Sequence, residues 1–420
     1  MAQADAPQEI VHVLAGTSAP VEEEVAALAA VLSSWAYDVR VLAPMGTQLR
    51  RRLAAADVRA SEAAAPPGAS AAARWSSARA LAAQLRELRP MLIHAHSFRA
   101  GLAALLARRS PPGPLPIVLS PSFLPHLLRG PRGPLRRLAC RRVLRAVDAI
   151  VVQTEVQRQQ LARLDRAAAQ RAEIVPCAIS PHQPADSLDL GVRRQLLGMT
   201  QAAAIVGCVV DTLDLPALRL FLDAARALCM EYPSLEFALI GSGVDRPEYH
   251  DLAHERGLMG ATVFVDPHSR LTRALSALNV LVAPQLGWPS GMLALQALSQ
   301  DVGVVALRGS EVDEMLRSTP SVTVAGGDDA AALGDAIIEQ LGAAADRMPM
   351  SAQAVDAPGV SELLVSRESF DLSESWGRPG TASAPAEHEQ APARSANAAF
   401  PPTRAARALI ALYHRVLDEH

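Results

Sequence analysis

Short apolar segments alternate with segments of helical periodicity in two separate series along this chain of 420 residues. The first series begins with the strand-like Ile10–Leu14, the helix-like Val21–Leu32 and the strand-like Val39–Ala43. The second series begins at Ile205–Val210 and continues to Gly303–Leu307, with helices predicted between its strands. Strands that alternate with helices form parallel sheets covered by helices on both faces. The pattern therefore predicts two α/β domains, each built on a doubly wound sheet.

The length and composition are consistent with this organisation. A chain of 420 residues exceeds one ordinary domain, and hydrophobic residues make up 50% of it, enough for two cores. The formal net charge of −3 gives no reason to expect a nucleic-acid partner. The four cysteines are widely spaced and predict neither a disulfide framework nor a cysteine zinc site. The first residues, MAQADAPQEI, do not have the charged-then-apolar order of a signal peptide, and we expect a cytoplasmic protein.

Changes in composition predict five segments. A turn-rich stretch, SPHQPADSLDLG, follows Pro176 and marks the boundary between the two domains. A later stretch rich in Ala, Pro, Ser and Gly is predicted to be disordered, apart from a small island at Ser369–Trp376. The predicted segments are a disordered N-terminus (1–8), an N-terminal domain (9–178), a C-terminal domain (179–342), a mostly disordered segment (343–402) and a closing helix (403–420).

The most specific motif lies in the second series, at Ala283–Ala306, which reads APQLGWPSGMLALQALSQDVGVVA. It resembles the donor-site signature of the large retaining family-4 glycosyltransferases, P-S-x-x-E-G-F-G-x-x-x-L-E-A-x-x-x-G-x-P-V-V-A. The spacing of the first proline, the central glycine and the final valines is kept. Both glutamates of the signature are replaced, the first by Trp288 and the second by Gln296.

Two further blocks resemble the same family. Leu92–Arg109, LIHAHSFRAGLAALLARR, is similar to the pattern D-V-[IV]-H-A-H-x-x-x-x-G-x-x-A, and Val147–Leu161 is similar to A-D-x-V-V-x-x-S-E-x-x-R-x-x-L. The resemblance implies a GT-B-like fold, in which two Rossmann-type doubly wound domains face one another across a cleft and the C-terminal helix crosses back to the N-terminal domain. It also implies transfer of a sugar from a nucleotide-sugar to a cell-surface glycan or lipid acceptor, with retention and without a metal ion or cofactor.

The donor side of the implied cleft departs from the family pattern. Breaking a sugar–diphosphate bond leaves negative charge on the leaving group, so cations or N–H donors are needed beside the phosphates. The family supplies an arginine and a lysine after the first strand of the C-terminal domain, and these positions fall on Asp211 and Pro216. Aspartate repels phosphate, and proline lacks an N–H but suits the start of a helix. Arg219 is the candidate cation that could replace the missing pair.

Four other residues are donor-side candidates. Gly291 opens a helix and could present N–H groups to an anion. Gln296 replaces the family's ribose-binding glutamate and keeps one acceptor oxygen, so it either contacts a ribose or is a partly exposed helix residue without a role. Gly241 and Gly243, in the turn GSG after a strand, either let a nucleotide approach the backbone or form an ordinary tight turn.

The acceptor side of the cleft has its own candidates. His94 and His96 would lie on one face of a strand end, and His96 is predicted to line the cleft because strand carboxyl ends point into the ligand crevice. Since no third ligand appears at useful spacing, we predict no metal site. Ser122 occupies a position where the family often has histidine and is a second cleft candidate. Gly16, which either lines the cleft or merely turns the chain, and Arg99 complete the acceptor-side set.

An arginine-rich segment, Leu127–Val147, contains seven arginines and no acidic residue. Arg137, Arg141 and Arg145 recur with helical spacing. They form either a solvated helix face or a surface that docks on anionic lipid, peripheral to the inner face of a membrane.

These observations leave two hypotheses of different class. The first is a divergent glycosyltransferase in which other donors replace the lost contacts. The second is a non-catalytic relative that acts as the partner of another glycosyltransferase or as a glycan-binding scaffold. The pattern favours weakened or lost catalysis, because the scaffold motifs survive while five cleft positions depart from the family: Ser122, Asp211, Pro216, Trp288 and Gln296.

Overall fold

The structure is a computed structural model that describes most of both domains. The described residues are 9–15, 19–44, 46–63, 71–108, 115–121, 133–178, 190–199, 204–210, 215–241, 244–266, 271–286, 290–347 and 400–420.

The N-terminal domain is built on a seven-stranded parallel sheet whose central strands are buried along their whole length, since helices cover both faces. The strands are β1 (Ile10–Val13), β2 (Val39–Ala43), β3 (Arg59–Glu62), β4 (Leu92–Ala95), β5 (Ile117–Leu119), β6 (Ala149–Val152) and β7 (Ala172–Ile174). They lie in the order β3-β2-β1-β4-β5-β6-β7. The helices are α1 (Ala19–Ser34), α2 (Thr47–Ala55), α3 (Ala71–Leu88), α4 (Phe98–Ala107), α5 (Gly133–Ala146), α6 (Glu155–Leu164) and α7 (Arg166–Arg171).

The C-terminal domain repeats this architecture with a six-stranded parallel sheet. Its strands are β8 (Ala204–Val209), β9 (Leu235–Ile240), β10 (Thr262–Val265), β11 (Val280–Ala283), β12 (Gly303–Leu307) and β13 (Val322–Ala325), in the order β10-β9-β8-β11-β12-β13. Its helices are α8 (Leu190–Leu196), α9 (Leu215–Glu231), α10 (Pro247–Glu255), α11 (Leu271–Leu275), α12 (Ser290–Leu298), α13 (Glu311–Leu316) and α14 (Ala330–Arg347). Each sheet has an apolar core on each of its two faces.

The last helix, α15 (Pro402–Asp418), returns to the N-terminal domain. Phe400, just before the helix, still packs against the core of the C-terminal domain. Leu409, Leu412 and Tyr413 are then buried in the same core cluster as residues of α1, β1 and β2. The predicted GT-B-like arrangement, with a C-terminal helix that crosses back, is confirmed.

Several elements were not predicted from the sequence. Strand β3 is one of them. Strand β3 has the polar sequence RASE and lies at the sheet edge, so it has no apolar pattern to indicate it. Helices α2, α13 and α14 and strand β13 were also missed, and α14 continues to Arg347, past the predicted domain end at residue 342.

Most of the predicted disordered segment, including Ser369–Trp376, lies outside the described residues. The other predicted domain boundaries remain predictions. Within the described part of the chain, no helix combines the length and the apolar character that crossing a bilayer requires.

Candidate functional site at the cleft between the domains

Both sheets change their winding direction between the first strand and its neighbour, at β1/β4 in one domain and at β8/β11 in the other. In open parallel sheets, ligands bind outside the carboxyl ends of the strands at such a switch point. The candidate site is therefore built from the residues that end or follow these four strands.

Three histidines meet at the switch point of the N-terminal domain. His12 in β1 is paired in register with His94 in β4, and His96 follows β4. All three are buried, and Nδ1 of His12 lies 3.0 Å from Nε2 of His96. The rings of His94 and His96 are stacked with their centroids 4.1 Å apart. The sheet thus gathers three imidazoles into one cluster.

The cluster is held in place by hydrogen bonds and is uncharged near neutral pH. Tyr413 of α15 lies 2.6 Å from Nδ1 of His94, and the Ser120 hydroxyl lies 2.8 Å from Nε2 of the same ring. Burial lowers the pKa of His12 to about 4, and burial also lowers the pKa values of His94 and His96 well below the usual range. The three side chains are therefore neutral imidazoles with lone pairs available.

A cavity of about 40 Å³ lies beside His94 and His96. Glu24 of α1 contributes to its wall and accepts hydrogen bonds from Gln153 and from the backbone N–H of Ala178. Burial raises the pKa of Glu24 to about 8, so this carboxyl group is largely protonated at neutral pH. The cavity is lined by neutral polar groups and apolar side chains at pH 7.

The start of α12 in the C-terminal domain is occupied by a carboxylate of the chain itself. Glu311, the first residue of α13, is fully buried and accepts a hydrogen bond from the N–H of Gly291 at 3.3 Å and from the Ser290 hydroxyl at 3.4 Å. Burial raises the pKa of Glu311 to about 7, against the lowering effect of these donors. The helix N-terminus therefore binds an acidic side chain of the protein itself, and the contact of Gly291 with a ligand anion stays a prediction.

A close fit at Gly291 keeps Glu311 in this position. A Cβ atom on Gly291 would lie 2.6 Å from Sδ of Met315 and 3.2 Å from the side chain of Glu311. With a larger residue at this position, these two side chains of α13 would have to shift.

Acidic residues of α13 also reach the N-terminal domain. Both carboxylate oxygens of Glu314 accept hydrogen bonds at the start of α6, from the N–H groups of Glu155 at 2.7 Å and Val156 at 2.8 Å. Gln157 of α6 donates to the Glu311 carboxylate. Two glutamates from one domain therefore bind donors of the other, in the region where the domains face one another.

Gln296 makes a second contact between the domains. Its amide donates to Glu23 of α1 at 2.7 Å, and Glu23 also binds Arg52 at 3.1 Å. Gln296 is buried, so the interpretation as a partly exposed residue without a role is wrong. Its amide nitrogen is already engaged by a carboxylate, and a bound ribose would have to compete with that interaction.

Comparison with known proteins agrees with this architecture. Residues 21–178 match the glycosyl transferase 4-like domain, and residues 204–342 match glycosyl transferases group 1. The two matches follow one another along the chain and together include most of it. The chain belongs to this glycosyltransferase family.

Individual relatives and structures support the same assignment. The chain is 26% identical over 227 residues to the D-inositol 3-phosphate glycosyltransferase of Corynebacterium urealyticum, covering 51% of this chain and 54% of the relative. The chain thus spans about half the length of the curated relatives it matches. Sucrose-phosphate synthase from Thermosynechococcus elongatus has a similar fold, with a TM-score of 0.64 at 15% identity over 98% of this chain and all of that one. HepE from Anabaena in complex with UDP-glucose gives 0.56 at 15% identity, over 86% and 100% of the two chains.

The remaining predicted site residues lie as follows. Gly241 ends β9, and its N–H donates to the carbonyl of Val265, so this donor is used within the sheet. Arg219 is an exposed residue of α9, and none of the hydrogen bonds or ion pairs found among the described residues involves it. Arg99 is half-buried in the first turn of α4. Pro216 is the second residue of α9, which is the ordinary helix start predicted for it.

Other sequence candidates cannot be placed. The predicted cleft and acceptor-side residues Ser122 and Gly16, and the donor-side residue Gly243, lie outside the described residues. The same holds for two of the positions that depart from the family pattern, Asp211 and Trp288.

Sequence reasoning missed four residues that shape the cleft: His12, Glu24, Glu311 and Glu314. The expectation that no third histidine accompanies His94 and His96 was wrong. His12 lies 84 positions before His96 in sequence, yet the two side chains are in contact. The first strand of such a domain pairs with the strand that carries the HAH motif, so a histidine in the first strand was a usable signal. Glu311 and Glu314 had a weaker signal, the acidic first turn of a short helix after β12.

Proposed function

We propose that this glycosyltransferase binds a nucleotide-sugar donor in the cleft between its domains and transfers the sugar with retention to a glycan or lipid acceptor, at a reduced rate. The start of α12 is the observation that carries the proposal. Its N–H and hydroxyl donors are arranged for an anion at the switch point of the C-terminal domain, and Glu311 occupies them. A donor diphosphate would have to displace this carboxylate, so binding is weakened.

The contacts between the domains support the reduced rate. Displacing Glu311 breaks its bond to Gln157, and admitting a ribose beside Gln296 breaks the bond to Glu23. Each lost hydrogen bond to a charged group costs about 1.5–3 kcal/mol when nothing replaces it. The cost of breaking these contacts therefore offsets part of the donor binding energy.

Proteins of similar fold suggest which donor to test first. HepE from Anabaena is known with UDP and glucose and with UDP-glucose, and MnaA from S. aureus is known with UDP. These likenesses, at 14–15% identity, support the fold and make a uridine diphosphate sugar the first candidate for this chain.

Two acceptors can be tested first: a phosphorylated cyclitol, which is proposed in addition to the glycan and lipid classes, and a lipid. Several curated relatives are named for D-inositol 3-phosphate, which makes a phosphorylated cyclitol one acceptor to test. A lipid acceptor is supported by α5, which exposes Arg137 and Arg142 together with Leu135 and Leu138. Nuclear magnetic resonance of any product would give the configuration of the new bond, and an inverted product would contradict retention.

Calorimetric titration of the full chain with UDP, GDP and their sugars tests donor binding. We expect weak binding by the parent and about tenfold tighter binding by Glu311→Gln, because the variant removes a carboxylate from the diphosphate position. Glu248→Gln is the matched control, since Glu248 is an exposed acidic residue in the first turn of α10. It should bind like the parent.

Two results would contradict the proposal. Equal donor affinity in the parent and Glu311→Gln would mean that Glu311 does not occupy the diphosphate position. The absence of binding to every nucleotide, in the parent and in both variants, would favour the non-catalytic scaffold instead.

A further inference from the structure

The three-histidine cluster is the one group of metal-ligand side chains that the described residues bring together. One possible ligand atom from each of His12, His94 and His96 lies within 4.8 Å of the other two. The closest pair, Nδ1 of His12 and Nε2 of His96, is 3.0 Å apart. Two nitrogens bound tetrahedrally to one zinc ion at about 2.0–2.1 Å are roughly 3.3 Å apart. The three rings are therefore packed on the scale of a zinc site, although the closest pair of nitrogens is itself joined by a hydrogen bond.

We propose that His12, His94 and His96 form a binding site for one divalent transition-metal ion of the zinc class. Imidazole suits Zn²⁺ and Co²⁺, and three protein ligands leave a fourth position of the tetrahedron open. His94 and His96 line the cavity of about 40 Å³, which has room for a water molecule at that position.

The unpaired nitrogen of His12 is an independent observation that points to a ligand. This ring is fully buried, and Nε2 has no hydrogen-bond partner among the described residues. A neutral imidazole carries one N–H group and one lone pair, and a single partner cannot satisfy both. A buried polar atom without a partner is costly, and coordination by a metal ion would satisfy the lone pair.

The partners of His94 fit the role of an outer shell. A histidine that binds a metal through one nitrogen usually keeps a hydrogen bond on the other, which fixes the ring orientation. His94 has Tyr413 on one side and Ser120 on the other, so either nitrogen can coordinate while the other remains supported. Because Tyr413 belongs to α15, the ion would also stabilise the docking of the C-terminal helix.

Charge does not oppose the site. Burial keeps all three imidazoles neutral at pH 7, so no proton has to be displaced when the ion binds. The proposed ion is separate from the donor diphosphate position at α12, and the inference does not depend on the proposed transferase activity.

Titration of the metal-free full-length protein with Co²⁺ and Zn²⁺ tests the proposal. We expect one equivalent of Co²⁺ to produce the intense visible bands of tetrahedral cobalt, and Zn²⁺ to abolish them. His12→Gln should lose at least tenfold in affinity, and so should His96→Gln. The matched control is His250→Gln with His254→Gln, a histidine pair one turn apart on α10 that could bind a metal adventitiously. This control should retain the tight site.

A second test of the metal site uses only the parent protein, so it does not require any variant to fold. X-ray absorption at the zinc edge of the parent protein should show three imidazole nitrogens. Fewer than three, or binding that persists in His12→Gln but is lost in the His250/His254 control, would overturn the site. So would a parent protein that binds neither ion. If the protein binds UDP but no metal ion, the metal site is contradicted and the proposed function is not. If it binds the metal ion but no nucleotide, the proposed function is contradicted and the metal site is not.

Discussion

The two domains share one architecture but place different chemistry at the same topological position. At its switch point the N-terminal domain gathers three neutral imidazoles beside a cavity. At the corresponding place the C-terminal domain fills a helix N-terminus with its own carboxylate, Glu311. The comparison teaches that a shared fold provides equivalent positions for a ligand, whereas the side chains at those positions decide whether a ligand can enter.

The same difference explains how the domains hold together. Carboxylates of α13 bind N–H donors of α6, and Glu23 of α1 binds Gln296 of α12. These contacts use the anion-binding capacity of helix starts and amides on both sides of the cleft. In this chain, groups of the kind that could contact a donor in a transferase contact one another instead.

The largest effect that tests this comparison is expected at Gly291. Gly291→Ala places a Cβ atom 2.6 Å from Sδ of Met315 and 3.2 Å from the side chain of Glu311, so both side chains must shift. Overpacking of this kind costs about 1–3 kcal/mol of unfolding free energy. Urea unfolding of the variant should show that loss.

Gly334→Ala is the control for this substitution. Gly334 is also a buried helical glycine, but its added Cβ would make ordinary contacts with Leu228 at 3.7 Å or more. That change should be neutral or stabilise by up to about 1 kcal/mol, because alanine favours the helix. Equal stability of the two variants would mean that the contact between α12 and α13 is looser than described.

The second effect is a dependence of stability on pH. Burial raises the folded-state pKa of Glu24 to about 8 and of Glu311 to about 7, so the folded protein keeps protons that the unfolded chain has lost. The unfolding free energy should therefore fall as pH rises from about 6.5 to 8. The slope is at most about 1.4 kcal/mol per pH unit for each such group. Below about pH 6.5 the buried histidines act in the opposite direction, because their pKa values are lowered.

Denaturant unfolding at several pH values between 6.5 and 8 measures this slope. Glu24→Gln and Glu311→Gln should each flatten it, while the exposed control Glu62→Gln should keep it. A parent whose stability is constant or rises across this range would show that these carboxyl groups are ionised in the folded state.

The smallest effect concerns α5, on the outside of the N-terminal domain. Arg141 and Arg145 are partly used within the protein, since they bind the carbonyl of Leu164 and the carboxylate of Asp165. Arg137 and Arg142 are exposed, and each cation near an anionic surface contributes about 1 kcal/mol. Arg137→Gln with Arg142→Gln should weaken binding to anionic vesicles at low salt by roughly tenfold or more.

Sedimentation with anionic and neutral vesicles checks this prediction. The parent should prefer anionic vesicles, and the preference should fade as salt rises. Arg219→Gln with Arg226→Gln, which changes two arginines of α9 in the other domain, serves as the charge-matched control. Equal binding by the parent and the α5 variant would identify α5 as an ordinary solvated helix face.

The sequence predicted the fold better than the site. Local periodicity is enough to recognise a central strand such as β8 or an amphipathic helix such as α9, because each buries a regular set of its own apolar residues. It fails for β3, whose polar residues pair at a sheet edge. The motif at Ala283–Ala306 located the switch point of the second domain, since it begins at the last residue of β11, contains α12 and covers all but the last residue of β12.

By itself, then, the sequence determined two doubly wound domains, the crossing helix and the family. Only the tertiary structure decided what lies in the cleft. His12 meets His96 across 84 positions, and Gln157 meets Glu311 across 154. Such contacts depend on strand order and on how the domains pack, and no local pattern records either. The physical reason is that sequence periodicity indicates only which face of a helix or strand is buried. The chemistry of a site depends on which other element covers that face.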